Sequence, residues 1–231
     1  MPGPMKLSII VPVYNENRTI RRVLEEIQAV PIDKEIIIVD DGSTDGTRQI
    51  LAQDKANHSG LRVILHEQNM GKGKAIRSGI VEAAGDLVII QDADLEYRPM
   101  DYLALVDAIA REGAHVVYGS RFLGKKGVTS PWHRAVNFAL TCLTNVLFGT
   151  RLTDMETCYK LYPSSVLKGL TLVSDGFEIE AELTAKVLKQ GVRISEVPIS
   201  YQGRTYHEGK KIGWRDGLRT VWALFKYRLS R

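Results

Sequence analysis

The run Leu87-Val88-Ile89-Ile90, ended by Gln91-Asp92-Ala93-Asp94-Leu95-Glu96, constrains this chain more than any other stretch. Four consecutive apolar residues without alternation suit a strand covered on both faces, as in a mostly parallel sheet. The chemistry changes at the strand's end. Asp92 and Asp94 stand one residue apart where a strand gives way to a loop, and two carboxylates at that spacing can converge on one hard cation. Mg²⁺ and Mn²⁺ take such oxygen ligands together with the oxygens of a substrate phosphate. Ligands of open α/β sheets gather outside the carboxyl ends of the strands, where Asp92 is placed. Taken alone, Asp-x-Asp also reads as a polar loop with a helix cap, and both readings stay open on these residues.

The same pattern recurs toward the N-terminus. Lys6 to Val13 form a buried first strand, and Asn17 is placed to cap a helix whose Ile20, Val23, Leu24 and Ile27 share one face. A second strand, Glu35 to Val39, stops at Asp40-Asp41-Gly42-Ser43-Thr44-Asp45-Gly46-Thr47. That octet is a capped turn, a nucleotide contact, or both, with Asp45 or Thr44 capping while Asp41 points toward a ligand. After a third strand, Leu61 to Leu65, comes Asn69-Met70-Gly71-Lys72-Gly73-Lys74-Ala75, opening a helix with Ala75, Ile76, Gly79, Ile80 and Ala83 on one face. Glycines and lysines at a helix N-terminus favour an anion there, and small residues equally permit close helix packing. The glycine spacing is not that of a phosphate-binding P-loop.

Pro99 opens the helix that follows Asp94, and His115 to Gly119 is a strand ending in Ser120-Arg121-Phe122. This rhythm predicts an α/β fold: a doubly wound, mostly parallel sheet with helices on both faces. A dinucleotide-dependent dehydrogenase is excluded, because Pro12-Val13-Tyr14 stands where Gly-x-Gly-x-x-Gly would follow the first strand.

Beyond residue 122 the character shifts. Trp132-His133-Arg134 precedes a largely apolar segment, Ala135 to Phe148, which reads as a buried helix or one lying at a membrane interface. Thr153 to Lys160 reads as a polar loop, Glu178 to Gln190 as a helix closed by Gly191, and Ile194 to Tyr201 as a strand. The final helix sets Leu218, Val221, Trp222, Phe225 and Leu229 on one face, with Arg215, Arg219, Lys226, Arg228 and Arg231 as its basic side. It suits a membrane surface or packing on the domain. The expected division is a domain over residues 1–212, with a nucleotide-binding half 1–122 and an acceptor half 123–212, followed by a basic amphipathic helix 213–231. No apolar run reaches the roughly 18 residues that span a bilayer, and no signal peptide is expected. Cys142 and Cys158 lack metal-ligand spacing, so the expected setting is cytoplasmic, and work at a membrane would be done from its surface. A net charge of +4 with scattered basic residues disfavours nucleic acid as a partner.

With these segments in place, the chain resembles the family 2 inverting glycosyltransferases of the GT-A fold, in pattern most of all the polyprenyl-phosphate, dolichyl-phosphate mannose synthase-like branch. The resemblance rests on Pro12-Val13-Tyr14-Asn15-Glu16, the Asp40–Thr47 octet, Asn69 to Ala75, Gln91 to Glu96, Gly119-Ser120-Arg121, Asp154 to Lys160 and Arg204 to Lys210, spread over nearly the whole chain. It implies that Pro12, Tyr14, Glu16, Val39 and Asp41 surround the base and ribose of a nucleotide sugar. It further implies that Asp92, Ala93 and Asp94 face the diphosphate, that Asp92, Asp94 and Glu96 hold Mg²⁺ or Mn²⁺, and that Arg204 and Lys210 close over the donor. Glu96 stands where related synthases carry Gln. Arg121 and Arg134 would face an acceptor phosphate.

The expected reaction moves a hexose, mannose or glucose, from GDP- or UDP-sugar to a polyprenyl phosphate at a membrane surface, with a separate membrane-anchoring protein as a possible partner. A phosphate monoester is largely dianionic at neutral pH, its second pKa being about 6, so it needs positioning more than deprotonation. A sugar or protein hydroxyl as acceptor would need a base, for which Asp154 or Glu156 are the candidates. A non-catalytic nucleotide-binding module is the third alternative.

Overall fold

Strand β1 (Leu7–Val13) is buried along its length apart from a partly exposed Pro12, and every residue of β4 (Leu87–Ile90) is buried. Since alternate side chains point to opposite faces, both faces of the sheet centre are covered. The structure, a computed structural model, describes residues 5–57, 60–112, 115–124, 131–204 and 213–230. Its remaining strands are β2 (Lys34–Asp40), β3 (Leu61–Leu65), β5 (Val116–Ser120), β6 (Lys160–Pro163) and β7 (Ile194–Pro198). They form one sheet in the order β3-β2-β1-β4-β6-β5-β7. The pairs β1–β2, β1–β4 and β2–β3 are parallel, as the apolar runs predict, and β5–β7 is parallel as well.

Strand β6 departs from that expectation. The sequence over 153–160 reads as loop, yet its end enters the sheet antiparallel between β4 and β5, pairing Leu161 with both Ile89 and Val117. Running against its neighbours, β6 begins where they end. The loop ahead of it is thereby delivered to the carboxyl edge beside Asp92 and Arg121.

Helices α1 (Ile20–Gln28), α2 (Thr47–Asn57), α3 (Lys72–Glu82) and α4 (Tyr102–Glu112) connect the parallel strands. Helix α1 buries Ile20, Val23, Leu24 and Ile27, the face its spacing predicts. Asn17 does not cap it; its amide donates to the Asp45 carbonyl at 2.6 Å, while Asp45 Oδ1 accepts from the Thr47 N–H at the start of α2. The second half adds α5 (Pro131–Phe148), the short α6 (Ser164–Lys168), α7 (Ile179–Lys189) and α8 (Trp214–Leu229). Helix α8 packs against α5 and α7. Helix α8 has a face packed on the domain and an exposed apolar face. Thr220, Ala223, Leu224 and Tyr227 are buried against the body, whereas Trp214, Leu218, Trp222, Phe225 and Leu229 form an exposed stripe. On α5, Trp132, Phe138 and Val146 are likewise exposed. Among the described residues no helix is long and apolar enough to cross a membrane.

Candidate active site

The carboxyl ends of β2, β1 and β4 lie side by side, because Val13 pairs with Asp40 and Ile10 with Ile90. They open on a cavity of about 1030 Å³ whose wall includes Pro12, Tyr14, Glu16, Asp41, Lys72, Asp92, Ala93, Asp94, Glu96, Arg121, Glu156, Glu180 and Arg204. Most of the expected site residues thus share one space. Four do not. Val39 is fully buried in β2 beside Pro12, where both faces of the strand are covered. Asp154 is fully buried, and Arg134 is exposed on α5, outside the wall to which its neighbours Trp132 and His133 contribute. Lys210 lies outside the described residues.

The acid edge is already met by cations. Lys72 Nζ sits 2.7 Å from Asp92 Oδ1 and 3.2 Å from Glu180 Oε1, and Lys160 Nζ sits 2.6 Å from Glu180 Oε2. Charge therefore alternates along Asp92, Lys72, Glu180 and Lys160. Burial works against the Lys72 ammonium, but Asp92 and Glu180 outweigh it and hold its proton well above the ordinary lysine range. Asp94 Oδ1 accepts from the Glu96 N–H, across a turn in which Leu95 takes φ 62°, and Arg204 Nη2 lies 3.3 Å from Asp94 Oδ2. Burial, then the neighbouring Asp92 and Glu96 carboxylates, push Asp94 up to about 7.

Both oxygens of Glu96, expected among the metal ligands, are engaged within the protein. Its Oε2 accepts from the Tyr201 hydroxyl at 2.6 Å and its Oε1 from the Arg204 N–H at 2.7 Å, so it ties the 201–204 segment over the cavity. Among the described residues no three His, Cys, Asp or Glu side chains gather into a set that holds a metal. The pair Asp92 and Asp94 still fits a hard divalent ion that draws its further ligands from a diphosphate, since both are oxygen donors and the crowding that raises Asp94 is relieved by added positive charge.

Asp41 faces the cavity but is fully engaged. Its Oδ1 accepts from the Met70 N–H at 3.0 Å and lies 2.7 Å from His66 Nδ1, and its Oδ2 accepts from the Gly71 N–H at 2.7 Å. The next donors of α3, the N–H groups of Gly73 and Lys74, go to the Asp175 carbonyl at 2.7 and 3.3 Å. These contacts engage the N–H groups of Gly71, Gly73 and Lys74 within the protein, and of the two readings of these glycines the structure favours close packing. Gly71 has φ 97°, and a Cβ there would lie 2.2 Å from the Asp175 carbonyl oxygen; at Gly73 it would lie 2.3 Å from that of Ser174. The contact fixes the helix start and so aims Lys72 at Asp92.

Asp154 is bound on two sides by Arg121, with Nε 2.7 Å from Oδ2 and Nη2 2.7 Å from Oδ1, and the Arg121 N–H donates to Oδ2 as well. An acid held in this way acts as a clamp on Arg121, the structural one of the two roles open to it in the sequence. Glu156, the other candidate, lines the cavity with its Oε1 buried and unpartnered among the described residues. Burial pushes its carboxyl up to about 7, with Glu180 and Asp154 adding to the rise and Lys160 and Arg121 opposing it.

A family model described as glycosyl transferase family 2 matches residues 8–170. The chain belongs to this family. It is similar to glycosyltransferase AglJ of Haloferax volcanii, at 29% identity over 88% of this chain, and spans 65% of that protein's length. It is also similar to an undecaprenyl-phosphate mannosyltransferase of Micrococcus luteus, at 28% identity over 90% of this chain and 88% of that one. Its fold matches the crystal structure of glucosyl-3-phosphoglycerate synthase from Mycobacterium tuberculosis in complex with Mn²⁺, uridine diphosphate and phosphoglyceric acid, with a TM-score of 0.74, 21% identity, and coverage of 98% of this chain and 80% of that one. This family 2 glycosyltransferase therefore has the GT-A fold that its motifs imply.

Sequence reasoning left several cavity residues of the glycosyltransferase unassigned. Lys72 was legible as a cation beside a helix start, but its aim at Asp92 depends on the packing of Gly71 and Gly73. Glu180 carries no motif signal, Lys160 closes the Asp154–Lys160 motif without an assigned role, and the apolar wall of Trp132, Val136, Leu140, Trp214, Leu218 and Val221 arises where α5 and α8 meet.

Proposed function

We propose that this glycosyltransferase moves a hexose from a nucleoside diphosphate sugar to a polyprenyl phosphate at a membrane surface. The observation that carries this reading is one cavity with two kinds of wall: Asp92, Asp94, Lys72, Arg121 and Arg204 at the strand ends, and apolar side chains of α5 and α8 opposite. A donor diphosphate suits the first wall. A phosphate head on an apolar chain suits the space between the two, and the exposed faces of α5 and α8 continue the apolar surface outward. The relative named as an undecaprenyl-phosphate mannosyltransferase supports a lipid phosphate as acceptor and mannose as the sugar.

Asp92 and Asp94 would hold Mg²⁺ or Mn²⁺ with the donor diphosphate; the ion, when bound, neutralises charge that builds on the departing nucleotide. A Mn²⁺ complex of the mycobacterial synthase supports a divalent ion in this fold. Glu16 holds Arg204 at 3.2 Å, which keeps the guanidinium at the donor side beside Asp94. Arg121, its charge balanced by Asp154, keeps its Nη1 edge available to an acceptor phosphate.

The test is incubation with radiolabelled GDP- and UDP-hexoses, Mn²⁺ or Mg²⁺, and a polyprenyl phosphate in detergent. Label in an organic-extractable, acid-labile product is expected; none over the whole donor panel overturns the reading. A second reading, transfer to a hydroxyl of a soluble glycan or protein, is favoured only by the unpartnered Glu156 oxygen, which could serve as a base, and predicts transfer without lipid or detergent.

A further inference from the structure

Glu156 lines the cavity, yet neither ion pairing nor hydrogen bonding accounts for its Oε1, which is buried without a partner among the described residues. A buried carboxylate oxygen left bare costs free energy, whereas a neutral carboxyl in the same place presents an O–H to whatever enters the cavity. The charged groups that act on it are Lys160 at the start of β6, Glu180 in the first turn of α7, Arg121 after β5 and Asp154 of its own loop. Two are cations and two are acids, and each of the four is already paired: Lys160 with Glu180, and Arg121 with Asp154. Burial therefore decides the protonation state of Glu156, in favour of the neutral form up to about pH 7.

We propose that the Glu156 carboxyl is an acceptor-recognition group that donates its O–H to a phosphate oxygen of the acceptor beside Arg121. The pairing is chemically complementary: a phosphate dianion offers only acceptors, the neutral acid supplies a donor without a second positive charge, and an ionised Glu156 would repel it. This rests on the phosphorylated acceptor proposed above. It makes acceptor binding, and not donor binding, sensitive to pH above neutrality. The acceptor's own second ionisation, near pH 6, is largely complete there and contributes little.

The experiment measures the KM for a polyprenyl phosphate and for the nucleotide sugar between pH 7.0 and 8.5 at saturating Mn²⁺, in the wild type and in Glu156→Gln. In the wild type the acceptor KM rises roughly tenfold, following loss of the proton, while the donor KM moves by less than about twofold. The Gln amide keeps an N–H donor that does not titrate, so the variant retains transfer with a flat acceptor KM. A flat wild-type profile overturns the proposal whether or not the variant folds. So does a variant that tracks the wild type, or one that binds nucleoside diphosphate normally yet loses transfer by more than about a hundredfold, which marks a base. A wild type that makes no lipid product at any pH overturns the function reading itself and is distinguishable from all of these.

Discussion

Arg121 and Asp154, 33 residues apart in sequence, form a two-pronged ion pair with both N–O distances at 2.7 Å, the carboxylate fully buried and the guanidinium side chain 10% exposed. Asp154 also accepts the Arg121 backbone N–H, while Glu196 accepts the backbone N–H of Asp154. Asp154→Asn leaves a buried guanidinium uncompensated, and the expected cost is about 3 kcal/mol or more in unfolding free energy. Urea denaturation measures it. Transfer falls because Arg121 loses its orientation, so the pH profile of the residual activity keeps the wild-type shape; a lost acidic limb would instead restore Asp154 as a base.

Asp92 and Asp94 are predicted to be the acids whose loss affects chemistry more than folding, since their side chains are 23% and 18% exposed at the cavity wall. Alanine at either lowers the transfer rate by about a hundredfold or more. Chelation of divalent ions has the same effect on the wild type. Kinetics at saturating donor, with a Mn²⁺ titration, reads both.

Gly71→Ala is expected to destabilise the protein by about 3 kcal/mol or more, because the new methyl would meet the Asp175 carbonyl at a backbone conformation open to glycine alone. The affected contact also aims Lys72. Thermal unfolding reports the stability loss, and a weakened donor affinity in the folded fraction reports the displaced lysine.

Stability should fall as pH rises from about 4.5 to 7, in part through Glu156. Its carboxyl titrates near 4.5 when unfolded and at about 7 when folded, so between those values the native state binds more protons and each rise in pH favours unfolding. Glu156→Gln removes that component. The variant gains about 1–3 kcal/mol relative to the wild type on going from pH 4.5 to pH 8, as read from urea midpoints at the two pH values.

The proposed membrane attachment would run through the outer stripe of α8, where Leu218 is 60% and Leu229 81% exposed. Changing both to Ser lowers binding to anionic vesicles by about tenfold or more, as measured by co-sedimentation, because each leucine loses the gain of leaving water. The melting temperature stays within about a degree or two, as neither side chain supports the fold. Leu224→Ser, on the buried face of the same helix, has the opposite signature: lost stability.

The sequence by itself determined the parallel half of the sheet and the chemistry of its edge. Unbroken apolar runs at Ile9–Val13, Ile36–Val39 and Leu87–Ile90 need cover on both faces, and acids at their ends can only sit where the strands stop. These are local properties, carried by neighbouring residues. The tertiary structure decided the partners. Strand β6 enters antiparallel, which sets Asp154 against Arg121 and leaves Glu156 facing the cavity. The close approach of α3 to the 174–176 loop puts Lys72 on Asp92, and the packing of α5 leaves Arg134 outside. Strand order and helix docking are fixed by how the whole core closes, so no local spacing records them; a carboxylate becomes a ligand, a clamp or a proton donor according to which distant cation the fold brings to it.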